Sequence, residues 1–205
     1  MSNKRPSFST FEHSLMKSLL DKAALQLGKT TPNPVTAAAI YKDDTIIAIG
    51  VHEKAGHDHA EIIALKLAGS KAKGASLMVN LEPCTHHGTT PPCIDAIIKA
   101  GITRVVYAMD DPNPLVRSRR SDILFKEAGI EVVKDLLKAE AQHLNRYFIT
   151  TQKHQRPYFT LKAGTSLDGK IALKEGSGGY ITGDASLRDV HKLRCHHDAI
   201  LVGVG

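Results

Sequence analysis

The sequence predicts an α/β fold in which two layers of helices cover one sheet, followed by a second and shorter α/β unit. Helical and strand patterns alternate from residue 36 to residue 147, and an alternation of this kind buries a sheet between helices. A polar stretch at residues 152–156 (QKHQR) then separates these elements from a new pattern that begins at residue 157. We therefore expect a three-layer α/β/α domain over residues 1–151 and the beginning of another domain over residues 152–205.

The elements of the first domain follow in order from local patterns. Apolar residues recur at helical spacing over 11–27, and the sequence Thr-Pro-Asn-Pro at 31–34 ends that helix. A hairpin is predicted from residues 36–41 and 45–51, with a turn at 42–44. The later elements are a helix at 61–67, a strand at 76–81, a helix beginning at Pro91-Pro92, a strand at 104–109, a helix at 121–128, a strand at 130–133 and a helix at 136–147.

The second unit has fewer and shorter patterns. It contains a turn at 166–170 (SLDGK), a helix at 185–194 that Asp184 could cap, and an apolar strand at 199–205 (AILVGVG). A unit of this length is too short to bury a core of its own. We therefore expect it to be the first part of a larger domain that this sequence truncates.

Composition and charge indicate a globular protein of the cytoplasm. Hydrophobic residues make up 42% of the chain, and no run of 18 apolar residues predicts a membrane span. The first residues lack the apolar core of a secretion signal, and three cysteines without a disulfide pattern indicate a reducing compartment. The net charge of +6 is spread along the chain, and residues 117–120 (RSRR) form the one tight basic cluster. This excess fits a solvated surface, or a small phosphorylated substrate as well as a polynucleotide.

A three-part motif predicts the chemistry. It consists of His59-Ala60-Glu61, Glu82-Pro83-Cys84 and Pro91-Pro92-Cys93. One imidazole and two thiolates are three ligands for zinc, and a site with three protein ligands leaves the fourth position for water. Glu61 is close enough along the chain to handle the protons of that water. The order H-x-E, then P-C, then a second cysteine is typical of zinc-dependent base deaminases.

The predicted elements place the ligands at one edge of the sheet. His59 and Cys93 lie at the beginnings of helices, and Cys84 follows a strand. Ligands bind at the carboxyl edge of α/β sheets, and free N–H groups at a helix start favour a thiolate. A closed structural zinc site or unrelated packing residues are the alternatives. We interpret Cys195 as an ordinary residue at a helix end.

The spacing of the cysteines is unusual, because eight residues separate Cys84 from Cys93. On this loop (LEPCTHHGTTPPC, 81–93) the chain resembles the bifunctional deaminase/reductase family of riboflavin biosynthesis, the RibD family. Further matching stretches are TPNP at 31–34, DPNP at 111–114, SLDGKIA at 166–172, ITG at 181–183 and DAILVG at 198–203.

The resemblance implies a cytidine-deaminase-like domain followed by a dihydrofolate-reductase-like domain. The first would deaminate 2,5-diamino-6-ribosylamino-4(3H)-pyrimidinone 5′-phosphate, and the second would reduce the ribosyl ring with NADPH. By the match of motifs, zinc ligands would be His59, Cys84 and Cys93, with Glu61 as the proton shuttle. Candidate substrate contacts are Asn33, His86, Asn113, Gly178 and Arg194, and candidate NADP(H) contacts are Gly164 and Tyr180.

The chain departs from the family pattern around the substrate and cofactor positions. The substituted residues are Thr36 and Ala37 for Val-Gly, Asp58 for Pro, Thr89 for a basic residue, Ser118 and Arg120 for the glycines of Gly-x-Gly, and Gly178 and Tyr180 for Ser and Trp. We expect the loss of the basic residue at Thr89 to weaken phosphate binding, unless arginines 117, 119 and 120 replace it. We also expect no reductase activity from this chain by itself.

Two other functions stay open. A nucleic-acid base deaminase would need an aromatic stacking platform and cysteines two residues apart, and the sequence offers neither. A zinc-bound remnant without catalysis would explain the substituted contact positions. A small phosphorylated pyrimidine is therefore the expected partner, without nucleic acid or membrane, and a homo-oligomer stays open.

Overall fold

The computed structural model describes residues 8–87, 91–117, 120–172, 174 and 179–203, with Arg117 described by its backbone only. It divides into two compact units, Met1–Pro157 and Tyr158–Gly205. Four residues with a predicted role, Thr89, Ser118, Arg119 and Gly178, lie outside the described residues. No helix in the described ranges combines the length and the apolar character that crossing a membrane requires.

Five strands and seven α-helices make up the described part of the first unit. In chain order they are α1 (Thr10–Ala24), β1 (Ala37–Lys42), β2 (Thr45–Val51), α2 (Ala60–Ala68), β3 (Ser76–Val79), α3 (Cys93–Lys99), β4 (Arg104–Tyr107), α4 (Pro114–Arg117), α5 (Ser121–Glu127), β5 (Glu131–Lys134), α6 (Lys138–Leu144) and α7 (Arg146–His154). A 3-10 helix at Gly69–Ala72 extends α2. The predicted strands and helices up to β5 are therefore present, with ends displaced by a few residues.

The strands form one mixed sheet in the order β2-β1-β3-β4-β5. β1 is antiparallel to both β2 and β3, whereas β3, β4 and β5 are parallel. Asp43 and Asp44, with φ of 47° and 56°, form the tight turn between β1 and β2. Two consecutive residues of positive φ match the right-handed twist of a hairpin.

Side chains of the strands alternate between two apolar clusters. On one face Ala39, Met78 and Val106 pack in the cluster that contains the buried side chains of α1, α6 and α7. On the other face, the neighbouring strand residues pack with buried side chains of α2, α3 and α5. Because successive strand residues point to opposite faces, both sides of the sheet are covered. The prediction of a three-layer α/β/α domain is confirmed.

The predicted helix at 136–147 is wrong in one respect, since two helices occupy this region. α6 ends at Leu144, Asn145 follows, and α7 continues to His154 through residues for which a linker is predicted. The side chain of Asn145 bonds to the backbone of Val35, which a continuous helix pattern in the sequence does not reveal. The first helix is also shorter than predicted, because turns replace it after Ala24.

In the second unit the described residues form one helix, α8 (Asp184–Cys195), and no strand. Residues 199–203 of the predicted strand have no ladder partner within that described part, and 204–205 lie outside it. Gly183 is the N-cap of α8, so the predicted cap at Asp184 is wrong by one residue. No side chain of α8 is buried. The turn at 166–170 is present, with Ser166 Oγ accepting from the N–H of Lys170 at 3.0 Å.

Candidate active site

The candidate site lies at the sheet edge where β2, β3, β4 and β5 end and β1 begins. The pairing of Val51 with Ala37, and of Ala38 with Val79, brings these ends together. The segments that leave this edge carry the residues predicted from sequence. Asn33 precedes β1, His59 follows β2, Cys84 follows β3, and Asn113 follows β4.

The structure brings His59, Cys84 and Cys93 into one cluster. His59 Nδ1 lies 3.2 Å from Cys93 Sγ and 3.5 Å from Cys84 Sγ, and the N–H of Cys93 donates to Cys84 Sγ at 3.3 Å. Among the described residues this is the one group of three or more His, Cys, Asp or Glu side chains whose ligand atoms lie within 4.8 Å of one another. Tetrahedral zinc with bonds of about 2.0–2.3 Å needs ligand atoms roughly 3.5 Å apart. The donor set therefore fits a zinc ion.

Each ligand has a definite structural position. His59 is the N-cap residue of α2, and Cys93 is the first residue of α3, after Pro92 at the N-cap. Proline suits this place because a helix start does not need its N–H. Cys84 lies in the loop after β3, where the N–H of Ile94 also donates to its carbonyl. The candidate ligands are therefore held by two helix starts and one strand end.

The electrostatics of the cluster favour a thiolate at Cys84. Hydrogen bonding from Cys93 and from His59 lowers the pKa of Cys84 to about 4. The same contact with Cys84, together with burial, raises the pKa of Cys93 well above its ordinary value. The pKa of His59 is raised, first by its hydrogen bond to Cys84. The two cysteines therefore share one proton beside the imidazole of His59, and a thiolate next to an imidazole can bind a metal cation.

Glu61 lies in the first turn of α2, two residues after His59, and is buried. Burial, and then the negative charge of Cys84, raise the pKa of its carboxyl to about 7. A carboxyl whose pKa lies near neutrality both accepts and donates a proton readily. Its position and its pKa both suit a general acid and base.

His52 is a site residue that the sequence analysis missed. Its ring lies edge-on to the ring of His59, with centroids 5.6 Å apart. Nδ1 is 2.9 Å from the carbonyl of Asp58, and Nε2 is 3.1 Å from Nδ2 of Asn33. Burial lowers the pKa of His52, so the ring is neutral, donating from Nδ1 and accepting at Nε2. Its place directly after β2, at the carboxyl edge, was the signal in the sequence.

Glu82 connects the cysteine loop to the loop that carries Asn113. Its Oε2 accepts from the N–H of Asp111 at 3.0 Å, and its Oε1 accepts from the hydroxyl of Ser121 at 2.6 Å. Asp111 Oδ1 then accepts from the N–H of Asn113 at 2.8 Å, and Asn113 Oδ1 accepts from Leu115. Burial raises the pKa of Asp111 to about 7. A chain of hydrogen bonds thus holds Asn113 at the edge of the site.

His86 lies two residues beyond Cys84. Its Nδ1 is buried, and within the described ranges it is the buried side-chain atom that has no hydrogen-bond partner. A buried donor or acceptor without a partner costs about 1–3 kcal/mol. A bound polar molecule would supply what this nitrogen lacks.

The substituted positions have structural roles of their own. Thr36 is buried, and its carbonyl accepts from the N–H of His52. Asp58 forms an exposed ion pair with Lys66 at 2.5 Å. Arg120 makes two hydrogen bonds to Asp122, at 3.1 and 2.8 Å, so its guanidinium already has a carboxylate partner.

Gly50 is a second residue that the sequence analysis missed. A Cβ at this position would lie 2.2 Å from the carbonyl oxygen of Ala60 and 2.5 Å from the nitrogen of Ala64. The absence of a side chain therefore lets α2 approach β2 closely. Since α2 carries His59 and Glu61, this close approach sets their depth in the site. A glycine inside a strand pattern was the available signal.

The candidate substrate and cofactor residues of the second unit do not form a buried cluster like that of His59, Cys84 and Cys93. Tyr180 is 82% exposed, and Arg194 lies on the exposed surface of α8. A Cβ on Gly164 would meet Lys162 Nζ at 3.6 Å and Thr182 Cγ2 at 4.0 Å. Gly178 lies outside the described residues.

The fold and this cluster define a domain of the zinc-binding deaminase class. The family model for the cytidine and deoxycytidylate deaminase zinc-binding region matches residues 9–109, and the model for the RibD C-terminal domain matches residues 157–205. RibD of Aquifex aeolicus is 50% identical over 189 residues, which are 92% of this chain and 53% of that protein. RibD of Escherichia coli is 48% identical over 172 residues, covering 84% and 47%.

Solved structures agree with these sequence matches. RibD of Acinetobacter baumannii has a TM-score of 0.84 at 41% identity, over 91% of this chain and 52% of that one. The Thermotoga maritima deaminase/reductase also scores 0.84, at 42% identity, over 90% and 53%. The chain belongs to the RibD family of riboflavin biosynthesis proteins. It spans about half the length of the curated relatives it matches.

Proposed function

We propose that this chain catalyses the hydrolytic deamination of 2,5-diamino-6-ribosylamino-4(3H)-pyrimidinone 5′-phosphate. The observation that carries the proposal is the cluster of His59, Cys84 and Cys93 with Glu61 buried beside it. The related Thermotoga protein is described as a diaminohydroxyphosphoribosylaminopyrimidine deaminase and a 5-amino-6-(5-phosphoribosylamino)uracil reductase. Site and family therefore support the same reaction.

His59, Cys84 and Cys93 would hold a zinc ion. When bound, zinc supplies a water of lowered pKa as the nucleophile. The protein contributes the geometry, because the three ligands come from two helix starts and one strand end.

Glu61 would move the protons of the reaction. It accepts a proton as the water oxygen bonds to the ring carbon that carries the amine, and it passes that proton to the ring nitrogen. It then transfers the second proton of the water to the amine, whose bond to carbon breaks, and ammonia leaves. Substrate and water give a carbonyl product and ammonia, so Glu61 ends in its initial state.

Asn33, His86 and Asn113 would contact the substrate. Their support is position, since all three lie on segments at the carboxyl edge of the sheet. The buried and unpartnered Nδ1 of His86 adds a specific reason. A hydrogen-bonding site of this kind distinguishes a diaminopyrimidine from analogues that lack an amine.

Residues 157–205 would correspond to the beginning of the NADPH-dependent reductase domain. Gly164 and Tyr180 would contact NADP(H), and Gly178 and Arg194 the substrate. We propose reduction by NADPH only for the full-length proteins of the family. We also propose a cytoplasmic enzyme without nucleic-acid or membrane partners.

A zinc-bound remnant without catalysis is the second candidate. The pairing of Arg120 with Asp122 favours it. A guanidinium that is already bound to a carboxylate does not readily take over the phosphate contact of the basic residue that Thr89 replaces. Under this alternative the protein binds zinc but lacks a contact for the substrate phosphate.

Ammonia release separates the two candidates. Zinc-loaded protein is incubated with the diaminopyrimidine ribosylamino phosphate, beside a Glu61→Gln variant, and zinc per chain is measured for both. Turnover that is lost in the variant supports the deaminase. Absence of turnover in folded protein with one zinc per chain supports the remnant.

A further inference from the structure

Three side chains hold the backbone of Val35, just before β1. The N–H of Val35 donates to Asn145 Oδ1 at 2.9 Å and to the hydroxyl of Tyr147 at 3.1 Å. Its carbonyl accepts from Nδ2 of Asn80 at 3.0 Å and from Nδ2 of Asn145 at 3.2 Å. Asn145 is therefore the one of the three that binds both backbone groups of Val35.

Asn145 occupies a position suited to this task. It separates α6 from α7, and its side chain is fully buried. Its amide has one acceptor and one donor directed at a single residue 110 positions earlier. A buried amide that loses such partners leaves unpaired polar groups, which are costly in a low-dielectric interior.

Val35 is connected to the site through a short and stiff segment. Pro34, whose ring fixes φ, separates it from Asn33. The N–H and the carbonyl of Asn33 bond within the same turn, to Thr30. The side chain of Asn33 donates to His52, whose ring lies against that of His59. A displacement of Val35 therefore moves the amide of Asn33 relative to the cluster.

We propose that Asn145 is a positioning residue for the deaminase site. It fixes Val35, and through Val35 it fixes the orientation of the Asn33 amide that faces the substrate. The inference rests on the proposed function, since it assigns to Asn33 a contact with the pyrimidine. Asn145 does not touch the reacting atoms; it acts through Asn33.

A double-mutant cycle tests the proposal. Asn145→Ala, Asn33→Ala and the double variant are loaded with zinc, and kcat and KM for ammonia release are measured for folded protein. Leu20→Ala, a buried change in α1 on the same face of the sheet, serves as a control for lost stability. Asn145→Asp keeps the size and the acceptor but loses the donor, and it replaces Asn145→Ala if that variant does not fold.

The expected result is a loss in kcat/KM of about 10- to 100-fold for Asn145→Ala, with one zinc per chain retained, because small misplacements have effects of this size. The kcat/KM of the double variant is expected to be no lower than that of the more impaired single variant. Losses that multiply in the double variant would overturn the proposal. Unchanged kcat/KM in Asn145→Ala or in Asn33→Ala would do the same.

Nuclear magnetic resonance of the His52 ring provides a readout that does not depend on turnover. The ¹⁵N resonance of Nε2 reports the hydrogen bond from Asn33, so it is expected to shift in Asn145→Ala and not in Leu20→Ala. If the unchanged protein releases no ammonia, the proposed function fails, but this resonance still decides whether Asn145 positions Asn33. A resonance that stays in place would exclude the positioning role.

Discussion

The ring of His52 stands at 82° to the ring of His59, with the centroids 5.6 Å apart. This contact connects the turn of Asn33 to the candidate metal cluster, because His52 also accepts from the Asn33 amide and donates to the carbonyl of Asp58. One neutral imidazole thus supports a candidate metal ligand on one side and a candidate substrate contact on the other.

Replacement of His52 by alanine should impair catalysis more than zinc binding. The variant leaves the Asn33 amide and the Asp58 carbonyl without a partner, but it keeps all three donors of the cluster. We expect kcat/KM for ammonia release to fall at least about 10-fold, with about one zinc per chain retained. His57→Ala, an exposed change in the same loop, is the matched control. Equal activity of both variants would contradict this role.

Replacement of Glu82 should show that an acceptor, rather than a charge, is needed at this position. Glu82→Ala leaves the N–H of Asp111 without its carboxylate acceptor and removes the acceptor of the Ser121 hydroxyl, which should lower the free energy of unfolding by about 1–3 kcal/mol. Glu82→Gln should lose less stability, since the amide oxygen can still accept from the N–H of Asp111 and the Ser121 hydroxyl can turn to accept from the amide N–H.

The free energy of unfolding is measured with urea at pH 7 for the unchanged protein and the two Glu82 variants. Glu127→Ala, an exposed change, is the control. If Glu82→Gln is as unstable as Glu82→Ala, the negative charge itself contributes the stability.

Gly50→Ala should displace α2. The added Cβ would meet backbone atoms of Ala60 and Ala64, and backbone cannot move aside as a flexible side chain does. We expect a loss of about 1–3 kcal/mol in stability and weaker zinc binding. Zinc affinity is measured by competition with a chelator. Gly183→Ala is the control, because an added Cβ there meets nothing within 4 Å. An unchanged zinc affinity in Gly50→Ala would show that the position of His59 does not depend on the close contact between α2 and Gly50.

Glu12 should contribute stability that depends on pH. Burial raises the pKa of this carboxyl, but hydrogen bonds from Arg104, Tyr41 and the N–H of Ser9 outweigh burial and hold the pKa below its ordinary value. A pKa that is lower in the folded than in the unfolded state stabilises above the unfolded value and ceases to do so as the pH falls through the folded value.

Glu12→Gln should therefore lower the urea midpoint at pH 7, and the difference from the unchanged protein should shrink below about pH 4. Glu131→Gln removes the exposed partner of Arg104 and is the control. A difference that stays constant from pH 7 to pH 3 would show that the ionisation of Glu12 contributes nothing.

The sequence predicted the parts of the molecule that depend on nearby residues. The alternation of strands and helices and the ligand motif are local patterns, and the structure contains the strands and helices and brings the three ligands together. What it missed depends on distant residues. Asn145, at the break between α6 and α7, bonds to Val35, which lies 110 positions away, and Gly50 leaves room for backbone atoms of α2. Residues 199–203 of the predicted strand form none for a similar reason, since a strand requires a neighbour that its own pattern does not specify.

The bond between Asn145 and Val35 also orders events during synthesis. At roughly 5–20 residues per second, a ribosome needs roughly 5–20 s to add the 110 residues between them. The candidate ligands His59, Cys84 and Cys93 are all made in that interval, before the residue that fixes the turn of Asn33 exists. The donors of the proposed metal cluster therefore precede, in the order of synthesis, the group that positions the candidate substrate contact.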